Sequence, residues 1–303
     1  MRQNILVLGS NGFIGSKLLV KLSKIPNVTI VGYGKSQPIN IDYPFISGNF
    51  IHENNWESIL NEYNINAVIH LVSTSFPNGN LSLHEDIENN VLPTIKLLDA
   101  IVKKGTCKIV FVSSGGCVYG EYQGKPLTEL DHLFPINAYG FQKMTIENCL
   151  STYNRTLGLE YTVARVGNPY GMFTSKGRTQ GLIPILFDRL LNNNPITIYG
   201  NCIRDYIYID DLVDIMVKIL FYKGEHRVFN VGTGFGTSTK ELITLIEDIT
   251  QRSFSKIDYL PRRNFDVNKN ILDISLIENE FNWFPKFTLP KGLSKIWHQI
   301  NYY

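Results

Sequence analysis

Short apolar runs alternate with amphipathic stretches along the first half of the chain. The runs predict strands near residues 4–8, 28–32, 67–71, 108–113 and 162–166, with helical patterns between them. A nearly continuous apolar run such as CKIVFVS suits a parallel strand that is covered on both faces. Strands that alternate with helices in this way indicate an α/β fold with a doubly wound parallel sheet.

The pattern changes after about residue 168, where proline and glycine interrupt shorter segments. A later strand is predicted at HRVFNVG and a helix from about Ser238. We expect this C-terminal part to form a smaller α/β unit that caps a substrate.

Composition narrows the class of protein. The 303 residues are 44% hydrophobic, enough for a full α/β core, and the formal charge of +2 comes without a basic block, which argues against a nucleic-acid partner. The four cysteines lack CxxC pairing, which favours reduced thiols and argues against a metal site. No apolar run is long enough for a bilayer and the chain starts almost at once with a strand, so we expect a cytoplasmic protein with no membrane partner.

The stretch ILVLGSNGFIGSKLLVKL reads as strand, turn and helix, with Gly9, Gly12 and Gly15 at the turn. Glycines there let the backbone approach a pyrophosphate and let the helix pack closely on the strand, while the helix N-terminus offers N–H groups and a positive dipole end. The alternative is a tight turn that binds nothing. The strand before it and the helix after it favour dinucleotide binding.

Further motifs follow in order: SSGGCVYG (113–120), YGFQK (139–143), RVGNPYG (165–171), IRDYIYIDD (203–211) and FNVGTG (229–234). Together with the GxxGxxG turn they resemble the extended short-chain dehydrogenase/reductase family of NAD(P)-dependent sugar-nucleotide epimerases, dehydratases and reductases. The resemblance implies a Rossmann-type domain at 1–168 plus about 206–236. It implies a nucleotide-sugar-binding domain at about 169–205 plus 237–303.

Tyr139 and Lys143 lie one turn apart on the same face of a predicted helix. A neighbouring ammonium stabilises a phenolate, so the tyrosine can act as an acid or base at working pH. The alternative is an exposed helix pair without chemistry. The resemblance implies that Tyr139 exchanges a proton with a sugar hydroxyl or carbonyl and that Lys143 also binds the nicotinamide ribose.

The family usually carries a Ser or Thr three residues before the valine of VYG, where this chain has Gly115. Ser114 is our choice for the third catalytic residue, because Gly115 and Gly116 allow an unusual backbone path. Cys117 is a second candidate, and a purely structural Ser114 is the alternative. The dehydratases of the family carry an Asp-Glu pair where this chain has Gly116 and Cys117, which argues against sugar dehydration.

The resemblance also implies binding residues. Asn168 would contact the diphosphate or sugar, Arg204 and Arg263 would hold phosphates, and Asp266 would hold a ribose hydroxyl. A surface pair between Arg204 and Asp205 is the alternative for that arginine. Cofactor contacts are implied for the glycine turn, three strand ends and a helix start: Gly9, Asn11, Gly12, Phe13, Ile14, Gly15, Lys35, Ser36, Asn49, Phe50, Leu71, Asn90, Tyr139 and Lys143. His70, at a strand end, is interpreted as structural.

The second predicted strand lacks an acid at its end. A carboxylate about 20 residues past the glycine turn would hold the ribose of NAD, but Gly32–Ser36 contains none. Lys35 and Ser36 can instead receive the 2′-phosphate of NADP by charge and hydrogen bond. NADP is therefore the predicted cofactor, with NAD held elsewhere as the alternative.

The missing acid favours a reductase, since family reductases exchange their nucleotide and epimerases keep NAD tightly bound. The leading hypothesis is reduction by NADPH of a nucleotide-linked 4-keto-6-deoxy sugar, for example a dTDP sugar. The alternative is a UDP-hexose or UDP-N-acetylhexosamine 4-epimerase, and a third hypothesis is a family member that binds nucleotide without turnover. The resemblance further implies a homodimer through helices near 84–104 and 139–157, and a role in making a polysaccharide.

Overall fold

The computed structural model describes residues 3–38, 41–77, 82–122, 124–171 and 181–301. The strands are β1 Gln3–Leu8, β2 Val28–Gly34, β3 Phe45–Ser47, β4 Ala67–His70, β5 Lys108–Ser114, β6 Tyr161–Val166, β7 Asn168–Tyr170, β8 Ile196–Tyr199, β9 Ile203–Tyr208, β10 Val228–Val231, β11 Gly236–Ser238 and β12 Ile257–Leu260. The helices are α1 Phe13–Leu22, α2 Trp56–Glu62, α3 Leu83–Asp86, α4 Leu92–Lys104, α5 Ala138–Leu157, α6 Leu182–Leu191, α7 Ile209–Phe221, α8 Thr239–Thr250, α9 Ser275–Phe281 and α10 Leu289–Asn301.

A parallel sheet forms the centre of the fold. Across the described residues it has seven strands in the order β10-β6-β5-β4-β1-β2-β3, and neighbouring strands run parallel. The strand order reverses between β1 and β4, and ligands of such sheets bind in the crevice beyond the carboxyl ends at that point. The residues after β1 and β4 therefore lie where a cofactor is expected.

Alternate side chains of the central strands enter two different cores, as the pleat of a strand requires. Ile5 and Val7 of β1 belong to a core with α1, α7, α8 and α10. Leu6 and Leu8 belong to a second core with α2, α4 and α5. The sheet is thus covered on both faces, which is why its strands read as continuous apolar runs.

Two smaller sheets lie outside the central one. Strands β11, β9 and β7 form a sheet in that order, and β12 pairs with β8. These strands belong to the part of the chain after about residue 168, where the sequence pattern loosens. The predicted domain division remains a prediction.

The predicted elements of the first half are confirmed. All five predicted strands are present in β1, β2, β4, β5 and β6, and the later strand and helix appear as β10 and α8. The doubly wound fold is confirmed with them. No helix in the described part of the chain combines the length and apolarity needed to cross a bilayer.

Candidate active site

The glycine turn joins β1 to α1 in a conformation that depends on glycine. Gly9 has a φ of +80°, and a Cβ on Gly15 would lie 2.3 Å from the Gly9 carbonyl oxygen. Gly12 is the N-cap of α1, where no side chain caps the helix and no acid occupies the first turn. The N–H groups and positive dipole end at Phe13 and Ile14 therefore suit a diphosphate, and the turn fits a dinucleotide.

The end of β2 lies next to Asn11 of the glycine turn. A Cβ on Gly34 would make only ordinary contacts, 3.6 Å from Asn11 Nδ2 and 3.5 Å from Phe45 Cζ. The Asn11 amide donates a hydrogen bond to the Ser36 carbonyl oxygen. Lys35 and Ser36 follow on an exposed loop. The turn that would carry a ribose-binding acid thus presents an amide, a hydroxyl and an ammonium.

The remaining predicted cofactor residues surround the same edge. Asn49 is exposed and caps the 3-10 helix Phe50–His52, and Phe50 is buried against His70 at 4.9 Å between ring centroids. Leu71 follows β4 and lies 3.4 Å from the position of a Gly9 Cβ. Cofactor contacts by these residues remain predictions.

Asn90 differs from its predicted place at the start of a helix. It lies in a π-helical turn, Ile87–Val91, and α4 begins only at Leu92. The Asn90 amide is buried, accepts from the Thr74 N–H at 2.8 Å and donates to Asp86 at 3.2 Å. Its side chain fixes the loop after β4, and a direct cofactor contact is still a prediction.

Tyr139 and Lys143 lie on α5, as predicted. Lys143 is only 3% exposed, its Nζ donates to the Val112 carbonyl at 2.9 Å, and it lies 5.7 Å from the centroid of the Tyr139 ring. Burial lowers the pKa of Lys143 to about 8, opposed by the negative charge of Glu147 and then of Asp86. Burial raises the pKa of Tyr139, contrary to the expectation that the neighbouring ammonium would bring it toward working pH. The phenol is thus protonated at neutral pH beside an ammonium, as a proton donor requires.

Ser114 and Cys117 meet Tyr139 at the end of β5. A side-chain hydrogen bond from Ser114 lowers the pKa of Tyr139, and the same side chain hydrogen-bonds the Cys117 thiol. Burial raises the pKa of Cys117, so its sulfur is a neutral thiol. A Cβ on Gly116 would make only ordinary contacts, 3.6 Å from Asn168 Nδ2. The hydroxyl that bonds the phenol is therefore that of Ser114.

Gly115 has no room for the family's usual serine. A Cβ there would lie 2.7 Å from Leu272 Cδ1 and 2.9 Å from the Arg165 carbonyl oxygen. Its own carbonyl accepts from Asn270 Nδ2 at 2.8 Å. The backbone at this residue is packed against β6 and the C-terminal segment, so a side-chain hydroxyl at this end of β5 has to come from a neighbouring residue.

The predicted substrate residues lie on β7, on β9 and in the segment after β12. Asn168 begins β7, and Arg204 on β9 donates to the carbonyl oxygens of Ile203 and Asn268. The Asp205 carboxylate is fully buried and accepts from Thr233 and from the Gly234 N–H. Asp205 thus anchors the β10–β11 turn, and Arg204 stays on the side of Cys117, whose pKa its charge lowers.

Arg263 and Asp266 lie in the segment after β12 and bind each other. Two hydrogen bonds join them, 2.7 Å from Nε to Oδ2 and 3.1 Å from Nη2 to Oδ1. The guanidinium also packs over the rings of Tyr199 and Phe265 at 4.9 and 4.8 Å. The charge of Asp266 reaches Cys117 and raises its pKa, so this pair faces the Tyr139 end of the site.

Asn137 is a site residue that sequence reasoning missed. It caps α5 by accepting from the Gly140 N–H at 2.8 Å, and its amide donates to the Phe265 carbonyl at 3.1 Å. It also hydrogen-bonds the Cys117 thiol. Asn one residue before a helix is a known start signal, and that signal pointed to this residue.

Metal ligands do not cluster in the described residues, where no group of three or more His, Cys, Asp or Glu side chains could hold an ion. His70 is buried, shares a 3.0 Å hydrogen bond with Thr94, and has its pKa lowered to about 3 by burial and then by Lys143. It is therefore a neutral ring within the core.

The geometry agrees with comparisons to known proteins. A model of the NAD dependent epimerase/dehydratase family matches residues 5–232. The chain belongs to this family. It is 31% identical to a dTDP-4-dehydro-6-deoxyglucose reductase of Escherichia coli, with 97% of this chain and 96% of the relative covered.

Two solved structures of the epimerase/dehydratase family share its fold over nearly their full length. A UDP-glucose 4-epimerase of Thermotoga maritima with UDP-glucose has a TM-score of 0.90 at 32% identity, with 99% of both chains covered. A UDP-glucose 4-epimerase of Thermus thermophilus with NAD has a TM-score of 0.88 at 26% identity, again covering 99% of both chains. Enzymatic function with an NAD(P) cofactor follows from the family.

The chain departs at two places from the pattern that the resemblance implies. The end of β2 lacks the expected acid, and Gly115 stands where the resemblance predicts a catalytic Ser or Thr. Both departures lie beside predicted site residues, Asn11 in one case and Ser114 in the other. They therefore lie beside residues predicted to bind the cofactor and to transfer a proton.

Proposed function

We propose that the protein reduces the 4-keto group of a nucleotide-linked 4-keto-6-deoxy sugar with NADPH. The observation that carries the choice of reduction is the end of β2, where Gly34 faces the Asn11 amide and no acid is present. The full-length similarity to a dTDP-4-dehydro-6-deoxyglucose reductase supports the same reaction.

Tyr139 is the proton donor of the proposed reaction. The nicotinamide, when bound, supplies a hydride to C4 of the sugar. As C4 accepts the hydride, the π electrons of the C4=O bond move onto the oxygen, which becomes an alkoxide. The Tyr139 phenol gives this oxygen a proton, and the Lys143 ammonium stabilises the phenolate that remains. Ser114 holds the reacting oxygen by a hydrogen bond, since its hydroxyl already lies beside the phenol.

Binding of the nucleotide sugar is assigned to residues of β7, β9 and the segment after β12. Arg204 and Arg263 suit a diphosphate because a guanidinium offers paired donors to phosphate oxygens. Asp266 suits a ribose hydroxyl, and Asn168 suits the sugar or diphosphate beside Gly116. Gly116 and Cys117 leave no acid to protonate a leaving hydroxyl, which disfavours dehydration.

A UDP-hexose 4-epimerase is the second candidate. The similarity to the Thermotoga enzyme over 99% of both chains favours it, because that enzyme was solved with UDP-glucose. In this reaction Tyr139 would take the proton from the C4 hydroxyl and return it after the keto sugar has rotated. NAD would then remain bound throughout, despite the absent acid.

The experiment is to purify the protein, denature it and identify any released nucleotide, then to titrate the emptied protein with NADPH and NADH. We expect an empty protein that prefers NADPH and consumes it with dTDP-4-keto-6-deoxyglucose. NAD recovered near one per chain, with turnover of UDP-glucose to UDP-galactose, would replace the reductase by the epimerase. Cofactor binding without turnover of either sugar would leave the non-catalytic alternative.

A further inference from the structure

Lys143 lies in a buried group of charged side chains that the proposed mechanism does not explain. Lys143, Glu147 and Arg165 are 3%, 6% and 6% exposed, and Asp86 is 1% exposed. Burying a charge is costly unless an opposite charge compensates it. The question is which carboxylate compensates which cation.

Glu147 forms an ion pair with Arg165 on β6. Arg165 Nη2 and Nε donate to Glu147 Oε2 at 2.8 and 3.0 Å, and the Ser113 hydroxyl donates to Oε1. The other side of the guanidinium donates to the Tyr119 hydroxyl at 2.9 Å. Although Glu147 raises the pKa of Lys143, its charge is neutralised by a direct ion pair, so Lys143 needs a second carboxylate.

Asp86 is the carboxyl group of this set that has no cation at bonding distance among the residues that the structure describes. It ends α3, which packs against α5, and its Oδ1 accepts from Asn90 at 3.2 Å. Its Oδ2 is buried and has no hydrogen-bond partner among the described residues. The Ser75 hydroxyl hydrogen-bonds this carboxyl and accepts from Gln142, the residue before Lys143, at 3.0 Å.

We propose that Asp86 is the counter-ion of Lys143, a positioning residue that keeps the buried ammonium charged for the reaction. With this assignment the buried group holds two cations and two carboxylates. Glu147 compensates the charge of Arg165, and Asp86 compensates the charge of Lys143. It also explains why a carboxyl with an unpartnered oxygen is tolerated under α5. The π-helical turn that follows Asp86 is a feature often found at functional sites.

Three further titratable groups near Lys143 carry no charge at neutral pH. On β4, burial lowers the pKa of His70 to about 3. Tyr139 on α5 and Cys117 in the β5–α5 loop have pKa values raised by burial. Asp86 in turn raises the pKa of both Lys143 and Tyr139, as an anion close to both would. Loss of its charge therefore favours neutral Lys143.

The first test measures the ionisation of Lys143 without substrate. Protein labelled with ¹³C at lysine Cε is titrated by NMR, with the Lys143 signal assigned from Lys143→Arg. The wild-type midpoint is expected near pH 8. In Asp86→Asn it should fall by about one pH unit, as loss of a nearby opposite charge predicts. Glu88→Gln, an exposed acid two residues on, should leave it unchanged.

A midpoint in Asp86→Asn equal to that of the wild type would overturn the proposal. The kinetic consequence rests on the proposed function: the alkaline limb of kcat/KM should move to lower pH in Asp86→Asn by the same amount. If no sugar is turned over, the proposed function fails while the NMR titration still decides the counter-ion.

Coupling between two charges is reciprocal, which provides a second variant if Asp86→Asn does not fold. Burial raises the pKa of Asp86, and the Lys143 ammonium opposes that rise. In Lys143→Met, protein labelled with ¹³C at aspartate Cγ should therefore show an Asp86 midpoint at still higher pH than in the wild type. An unchanged Asp86 midpoint would show that the two groups do not interact, and the proposal would be wrong.

Discussion

The two sides of the candidate site are built differently. The proton-transfer side, Ser114, Tyr139 and Lys143, lies on β5 and α5, and its lysine is 3% exposed. The phosphate side, Arg263 and Asp266, lies on a segment after β12, with the Arg263 side chain 41% exposed. Covalent spacing along α5 fixes Tyr139 relative to Lys143, whereas Arg263 and Asp266 are joined by their own hydrogen bonds.

The difference indicates two ways of preparing a site. The buried side is preorganised. Asn137 caps α5, and the Lys143 ammonium on this helix donates a hydrogen bond to the Val112 carbonyl of β5. On the exposed side the cation and the anion satisfy each other, so a nucleotide sugar that used both would exchange that pair for its own phosphate and ribose groups. Changes on the buried side should therefore act on kcat and changes on the exposed side on binding.

The largest effect is expected for Tyr139→Phe. Loss of the phenol proton should lower kcat by about 10³-fold, within the range for a general acid, with little effect on KM. Steady-state assay of NADPH consumption measures the loss, and circular dichroism monitors the fold. Tyr153→Phe is the matched control, because its hydroxyl, on the same helix, bonds Asp99 at the surface. Full activity of Tyr139→Phe would remove the proposed mechanism.

The next effect tests the departure at Gly115. Ser114→Ala should lower kcat by about 10²-fold, as loss of one donor to a developing oxyanion does. Adding Gly115→Ser should not restore it, because the new Cβ would lie 2.9 Å from the backbone carbonyl oxygen of Arg165. That clash should also lower stability by about 1–3 kcal/mol, measured by urea unfolding. Recovery of kcat in the double variant would return the catalytic role to residue 115.

On the exposed side, Arg263→Met should weaken binding of UDP-glucose and dTDP-glucose by about 10- to 30-fold, the loss of one charge-assisted contact to phosphate. Calorimetric titration of both sugars measures this without any turnover. Arg252→Met is the control, an exposed arginine that lies over Trp297. A fall in kcat with unchanged affinity would contradict the division between the two sides.

Much of the fold follows from local patterns. Both faces of the central sheet are covered, so its strands stand out as apolar runs, and β1, β2, β4, β5 and β6 were all predictable. The strands β3, β8 and β12 have three or four residues each and depend on pairing with distant segments, which no local pattern encodes.

The arrangement of the candidate site residues was predictable in part, and their roles remain predictions. Tyr139 and Lys143 follow from helical spacing, and the glycine turn follows from its motif. The roles of Asp86 and Asp205 do not, because each depends on partners outside its own segment: Asp86 on Ser75 and α5, and Asp205 on Thr233 and Leu272. Their sequence contexts resemble those of surface acids.

The smallest effect concerns the cofactor edge, which borders the buried side. Gly34→Asp should raise the affinity for NADH relative to NADPH by about 10-fold, through bonding of a ribose diol and repulsion of a 2′-phosphate. The new Cβ meets only ordinary contacts, so the fold should persist. Lys35→Ala should also shift the preference toward NADH, but by less, because the Lys35 ammonium is exposed and its attraction for the 2′-phosphate is screened by water. Fluorescence titrations with both nucleotides measure the ratio. If neither variant changes it, the ribose is held elsewhere, NAD remains as good a cofactor as NADP, and the argument for a reductase from the end of β2 is lost.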